Sequence, residues 1–314
     1  MKYKVDSAHG GEGWVPRKQD HSTELGHFWN NCGVKGEFGT LSHVLLRSPG
    51  LEVEQNFNPA DILWTERIEP SKAREQHNNL IEVYRSQGVE VDLIDDKAAE
   101  SFPNILYVRD LFTMTDQGAI LSRMASEVRA GEEVIISKKL SELGIPILAS
   151  LHSDMILEGP DILIVNPDLV FIGYGIRTNY KAAMYVKQIL LGLGYSEVII
   201  IQTTYGCGHL DGVVNILNSR YAAIVPKRVS YELYIGLKRH GFSIIELDDM
   251  YEIDQLMSIN FVQLNEETLL INKGAKNTVS QYSSCGFECL EIDISELTKG
   301  GGSIHCLTGI LRRI

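Results

Sequence analysis

Five times along this chain a helical pattern stops at a glycine and a β-prone run follows at once. The joints are RSQGVEVDLI at Gly88, SELGIPILA at Gly144, LGLGYSEVIII at Gly194, KRHGFSIIEL at Gly241 and SSCGFECLEI at Gly286, at intervals of 56, 50, 47 and 45 residues. A glycine just past a helix takes the left-handed turn that satisfies the last carbonyls. Between the joints lie pairs of short β-prone runs: Asp161–Val165 with Leu169–Gly173, Val213–Leu217 with Ala222–Val225, and Phe261–Leu264 with Leu269–Ile271. Turn-like Asn218–Ser219 links the second pair, and Asn265–Glu266–Glu267 links the third. Each unit therefore reads strand, strand, helix, strand. A period near 50 residues implies modules that bury their apolar faces only by stacking. Five of them filling one chain predict a closed α/β ring around a central cavity. The competing architecture is an ordinary mixed α/β sheet.

The pattern over Ser71–Gln87 carries the clearest helix, with Leu80, Val83 and Tyr84 on one face and Ser71 as N-cap; Thr178–Leu193 and Ser230–His240 come next. Gly36–Leu46 holds the first regular strand. Residues 1–35 are polar and Gly-rich without a period and read as an N-terminal arm, so 36–314 is expected to be one catalytic domain. The net charge of −12 argues against nucleic acid and acidic membranes and is compatible with a cationic ligand. No apolar run approaches membrane-spanning length, and the start lacks the apolar segment of a signal peptide. The five cysteines are odd in number and irregular in spacing, which predicts a reduced, cytoplasmic chain without a disulfide framework. Cys285 and Cys289 have no second Cys or His pair at zinc spacing, so neither metal nor cofactor is expected.

Four polar clusters interrupt the apolar pattern, each near the end of a β-prone run and each in a successive repeat. They are Tyr107–Val108–Arg109–Asp110, Leu157–Glu158–Gly159–Pro160–Asp161, Cys207–Gly208–His209–Leu210–Asp211–Gly212, and GGGSIHC at Gly300–Cys306. In a ring, equivalent positions converge on the centre. Cys306, presented beyond three glycines, is a candidate nucleophile. His209 is a candidate general acid and base. Asp110, Glu158, Asp161 and Asp211 surround them with negative charge. Carboxylates raise the pKa of a nearby thiol, which suits a cationic substrate whose arrival neutralises them. A planar guanidinium fits, because it donates to carboxylates in bidentate geometry. Taken singly, each residue has a plain structural reading: Asp110 in a surface ion pair with Arg109, Glu158 and Asp161 as turn formers, Arg129 as a solvated helical charge, Arg177 as a loop cap.

In this order and spacing, NILYVRD at Asn104–Asp110, RAGEE at Arg129–Glu133, EGPD at Glu158–Asp161, GYGIRTN at Gly173–Asn179, GHLDG at Gly208–Gly212 and GGGSIHCLT at Gly300–Thr308 resemble the guanidino-modifying enzymes of the pentein superfamily. The resemblance runs from Gly36 to Arg313. It implies a five-bladed α/β propeller and assigns roles. Cys306 looks like the nucleophile at the guanidinium carbon, forming an S-alkylthiouronium. His209 looks like the acid and then the base, with Glu158 as its acidic partner. Asp110 and Asp211 resemble the carboxylates that hold the guanidinium, with Asp161 beside them. Arg129 and Arg177 match the arginines that hold the α-carboxylate, which favours free arginine over agmatine.

Asp211 after His209 resembles deiminases and amidinotransferases more than many dimethylarginine hydrolases. Asp110 stands where arginine dihydrolases carry asparagine, which argues against double hydrolysis to ornithine. Glu158 leans toward hydrolysis, HCLTGILRR resembles the amidinotransferase ending, and Pro160 replaces the second glycine of the usual EGGD. The leading expectation is an arginine deiminase-like hydrolase giving citrulline and ammonia. An amidinotransferase passing the group to an amine acceptor comes second, and a non-catalytic binding propeller third. Assembly into a homo-oligomer is compatible with the sequence.

Overall fold

All five joint glycines have positive φ, from 64° at Gly144 to 99° at Gly194, the conformation in which a side chain would be strained. The computed structural model describes residues 4–314; residues 1–3 of the expected arm lie outside the described residues. Fifteen strands form five separate three-stranded sheets. β1 (Leu41–Leu46), β2 (Glu90–Leu93) and β15 (Gly309–Arg313) form the first. β3 (Phe112–Met114), β4 (Ala119–Leu121) and β5 (Ile147–Ser150) form the second. The third holds β6 (Ile162–Asn166), β7 (Leu169–Tyr174) and β8 (Val198–Gln202), and the fourth β9 (Val214–Ile216), β10 (Tyr221–Ile224) and β11 (Ser243–Glu246). β12 (Val262–Gln263), β13 (Thr268–Asn272) and β14 (Glu288–Ile292) complete the set.

Every sheet repeats one plan. An antiparallel pair comes first, then a helix, then a third strand parallel to the middle one. A parallel return needs such a crossover. The crossover helices are Pro70–Ser86, Glu132–Glu142, Tyr180–Gly192, Tyr231–Arg239 and Lys276–Ser284. The first sheet takes its antiparallel partner from the far end of the chain, with Val44 opposite Ile310 and Leu45 opposite Gly309. Residues 36–314 thus join end to end, although no sheet closes on itself.

The sequence placed the strand pairs within a residue or two, and element ends moved for local reasons. The first long helix begins at Pro70, not Ser71, because Glu69 is its cap: the Glu69 carboxylate accepts from the N–H groups of Ser71 and Lys72, and proline suits the first turn, where no N–H is needed. Asn179 caps the helix expected from Thr178, and Ser230 caps Tyr231–Arg239. The first strand starts at Leu41 because Gly39, at φ 100°, breaks the extended run. Cys306 does not begin the last strand; it sits on a short helical turn, Ile304–Leu307.

The core lies between each sheet and its helix. Leu80, Ile81 and Tyr84 face inward from Pro70–Ser86, each adding about 1.5–3 kcal/mol by burial. The Tyr84 hydroxyl also meets Thr308 Oγ1 at 2.7 Å, which ties this helix to the segment beyond Cys306. Part of the segment before Gly36 reaches the second sheet. His21 Nε2 meets the Gln117 carbonyl at 3.0 Å, and Asn30 bonds to the carbonyls of Leu143 and Gly144. Among the described residues no helix is long and apolar enough to cross a membrane.

Candidate active site

A short turn precedes the first strand of each sheet, and there the polar clusters stand. Val108–Leu111 leads into β3, Gly159–Asp161 into β6, Leu210–Gly212 into β9 and Ile304–Leu307 into β15. The clusters therefore open strands; they do not follow them as the sequence reading had it. The turns touch one another, Val108–Leu111 against both Gly159–Asp161 and Ile304–Leu307, and Gly159–Asp161 against Leu210–Gly212. Pro160 fits its turn without loss, since the bond that closes it runs from the Asp161 N–H to the Glu158 carbonyl. Gly159 is required there: a Cβ would lie 2.4 Å from the Arg109 carbonyl oxygen.

Glu158 is fully buried and organises the cations. Its carboxylate meets His209 Nε2 at 2.7 Å, Arg177 Nη1 at 3.0 Å and Arg129 Nη1 at 3.8 Å, and accepts from the Ala125 N–H at 3.1 Å. Burial alone would raise its pKa, but His209 and the two arginines outweigh burial and hold it down at about 2. Burial likewise works against a charged His209, yet Asp110, Glu158 and Asp161 hold the imidazole up at about 9. The ring is thus an imidazolium near neutral pH, ready to give up a proton.

Cys306 is partly exposed and lines the same cleft as His209. Its N–H donates to Asn260 Oδ1 at 3.2 Å. Burial, Asp211 and Asp110 push its thiol well above the ordinary cysteine value. The free protein therefore presents a thiol, not a thiolate, to these carboxylates, a condition that a bound cation would relieve. The glycines before it are set by Tyr107. A Cβ on Gly300 would lie 2.0 Å from the Tyr107 hydroxyl, and one on Gly302 would lie 2.5 Å from its ring.

The other expected residues fall around this pair. Asp110 pairs with Arg129, but its Oδ1 is buried without a partner. Asp161 accepts from the Leu210 N–H at 2.9 Å, and burial raises its pKa to about 6. Asp211 is bonded to His305 Nδ1 at 2.7 Å. Arg177 lines the cleft, a quarter of its side chain exposed. Arg129 also lines it, but its guanidinium is engaged by Glu132, Asp110 and the Asn104 carbonyl.

Sequence reasoning missed Asn260, His305 and Glu37. Asn260 occupies in the fifth repeat, just before β12, the place that Asp110 and Asp161 hold in theirs, so aligning the units would have found it. His305 stood inside the GGGSIHC stretch and drew no attention beside the thiol. Glu37 gave no local signal.

The cleft measures about 120 Å³. A larger one of about 310 Å³, between Val53–Phe57 and Trp64–Pro70, contains no nucleophile. Ligand atoms of Asp110, Glu158 and His209 lie within 4.8 Å of one another, so these three could receive a cation. The chemistry of the set, with one histidine already bonded to one carboxylate and arginine against both, suits an organic cation better than a metal. Cys32, Cys207, Cys285, Cys289 and Cys306 are all free.

The profile of the N,N dimethylarginine dimethylhydrolase family, eukaryotic, matches residues 53–313. Uncharacterized protein YkgA of Bacillus subtilis is 28% identical over 275 residues, 87% of this chain and 92% of its own length. The N(G),N(G)-dimethylarginine dimethylaminohydrolase of Pseudomonas aeruginosa is 24% identical over 269 residues, 85% of this chain and 98% of its own. The structure of a mutant of that enzyme complexed with citrulline superposes with a TM-score of 0.72 at 23% identity, covering 86% of this chain and 98% of the other. An amidinotransferase of the saxitoxin biosynthetic pathway, SxtG of Microseira wollei, superposes with a TM-score of 0.74 at 16% identity, covering 90% and 97%.

Proposed function

This chain belongs to the N,N dimethylarginine dimethylhydrolase family of the pentein superfamily, and from that premise we propose that it is a cysteine-dependent hydrolase of the guanidino group of free arginine. In this reading the five sheets are blades, and the four pre-strand turns face a common axis. One observation carries the proposal: a buried Glu158–His209 pair at 2.7 Å opens on the cleft that Cys306 lines.

The guanidinium enters beside Asp110, whose unpartnered Oδ1 accepts an N–H, and beside Asp211. Its charge offsets the carboxylates, and Cys306 releases its proton to solvent water, His209 being already protonated. The thiolate attacks the guanidinium carbon. The His209 imidazolium, held by Glu158, protonates the departing nitrogen, which leaves as ammonia. A thiouronium remains on Cys306. His209, now neutral, takes a proton from water, and the hydroxide adds to the same carbon. Collapse expels the Cys306 thiolate, which takes up the hydroxyl proton of the adduct and is restored as the thiol, and releases citrulline, so that arginine and water become citrulline and ammonia. Arg177, with guanidinium capacity left beyond its contact to Glu158, takes the α-carboxylate. Arg129 braces Asp110 and Glu158.

Two observations favour neighbouring readings. Membership of the family supports methylated arginine as substrate, with dimethylamine as the leaving group. The His-Cys-Leu-Thr ending closed by Arg312–Arg313 supports an amine as second attacker. Incubation with arginine or with N,N-dimethylarginine, read by mass spectrometry with Cys306→Ala as control, separates the three. Citrulline and ammonia from arginine support deimination. Citrulline only from the methylated compound moves the substrate. A stable amidino adduct on Cys306 without turnover points to an acceptor amine. No product and no adduct with either compound overturns the enzymatic reading.

A further inference from the structure

Behind the cleft four buried charges of alternating sign stand in a row. Arg109 Nη2 donates to Glu37 Oε1 at 3.0 Å, Glu37 Oε2 lies 3.5 Å from His305 Nε2, and His305 Nδ1 donates to Asp211 Oδ2 at 2.7 Å. None of the four is more than 4% exposed. We propose that His305 is a positioning residue, an imidazolium clamped between Glu37 and Asp211 that aims the Asp211 carboxylate at the guanidinium and offsets its charge beside Cys306. This rests on the reading of the cleft given above.

Three observations converge. His305 precedes Cys306 on one short turn, and Asn260 holds both: its carbonyl accepts from the His305 N–H and its Oδ1 from the Cys306 N–H. Nδ1 of His305 is the one hydrogen-bond donor to the Asp211 carboxylate among the described residues, so without it a buried carboxylate would stand alone. The charges facing His305 are those of Asp211 and Glu37 in contact and of Arg109 behind Glu37; Arg313 faces Glu37 from β15. Burial disfavours the proton on His305, but the two carboxylates outweigh burial and Arg109 and raise its pKa above the ordinary imidazole value. Asp211 is in turn a main cause, after burial, of the raised Cys306 thiol. A merely structural role would make His305 matter to melting temperature and leave the thiol unmoved.

The test is the rate of alkylation of Cys306 by iodoacetamide across pH 6–10, with and without arginine, a change in midpoint being read as the displacement along the pH axis of the log-rate line, which follows the thiolate fraction below the midpoint. Each thiol is scored by peptide mass spectrometry and folding is checked by melting temperature. His305→Asn keeps a donor near the Nδ1 position and removes the charge; His305→Gln gives the same test should the first fail to fold. The expected result is a rise of about one pH unit or more in the alkylation midpoint, and an increase of about tenfold in the arginine concentration that halves the rate. In an Asp211→Asn background the midpoint shift should vanish, since no charge is left to offset. An unchanged midpoint in a folded variant whose wild type is protected by arginine overturns the inference and leaves the cleft reading standing. A shift that persists with Asp211→Asn also overturns it, because His305 would then act by another route. Wild-type protein that arginine fails to protect overturns the cleft reading, and this inference with it.

Discussion

Removing the charge of Glu158 should take the proton off His209 at working pH. His209 stands at about 9 against an ordinary 6.5, and each pH unit is worth about 1.4 kcal/mol, so the surrounding carboxylates outweigh burial by roughly 3 kcal/mol. Three contribute: Asp110 from across the cleft, Glu158 by direct contact, and Asp161. Glu158 alone is hydrogen-bonded to the ring, at 2.7 Å. In Glu158→Gln the amide keeps a polar contact and loses the charge, while Arg129 and Arg177 remain and repel the imidazolium. A fall of the His209 midpoint from about 9 to about 7 follows if Glu158 supplies about four-fifths of that net effect. At pH 8 the protonated fraction would drop from about nine-tenths to about one-tenth, and turnover limited by the general acid would fall roughly tenfold. Near pH 6 both proteins would be protonated and the gap would narrow. The assay is kcat from pH 5.5 to 9.5, paired with the NMR titration of the His209 Cε1–H signal. A His209 midpoint within about 0.3 of the wild type would refute the reasoning, because Asp110 and Asp161 would then hold the proton without Glu158.

Three further outcomes are expected. His77 is fully buried on Pro70–Ser86 with neither ring nitrogen partnered, and burial, aided by Arg47, lowers its pKa to about 4. The unfolded chain binds that proton first, so stability should fall as pH drops from about 6.5 to 4, by up to about 3 kcal/mol in all. His77→Met should flatten this window in urea denaturation; because the raised Asp161 and Glu132 act with opposite sign, the difference between the two proteins is the quantity to read. Gly300→Ala would drive Tyr107 from its 2.9 Å bond to the Leu297 carbonyl, costing about 1 kcal/mol of stability and, since the ring walls the cleft, more in kcat/KM; unchanged kinetics would show that Tyr107 does not shape the cleft. Removal of residues 1–30 should leave KM within about twofold of the wild type and lower Tm, because His21 meets Gln117 and Asn30 meets Leu143 and Gly144 and no described arm residue lines the cleft; a large rise in KM would show that the arm acts on the cleft.

The repeat was legible because its signal is local. A glycine at positive φ after a helix and an apolar pair before it are each visible within ten residues, and five copies reinforce one another. That Cys306 and His209 share a site was legible for a related reason: thiol and imidazole are rare, and each stood in a polar break of an apolar run. What escaped is what the fold assembles from afar. Glu37 reaches His305 across more than 260 positions of sequence, and nothing in GEFGT distinguishes a buried ion from a strand-end charge. Arg129 was misread within a single repeat. Its sequence spacing gave a free cation, whereas folding brings Glu132 and Asp110 onto its nitrogens and leaves Arg177 as the less encumbered arginine of the two. A site at the junction of five repeats shows its reactive atoms one repeat at a time, but the charges that tune them belong to pairs of repeats, and a pair has no signature in either sequence alone. Tuning is therefore where substrate choice must be sought. On the reading proposed above, His305, beside Cys306 and bonded to Asp211, sets how strongly a cation must bind before the thiol can act.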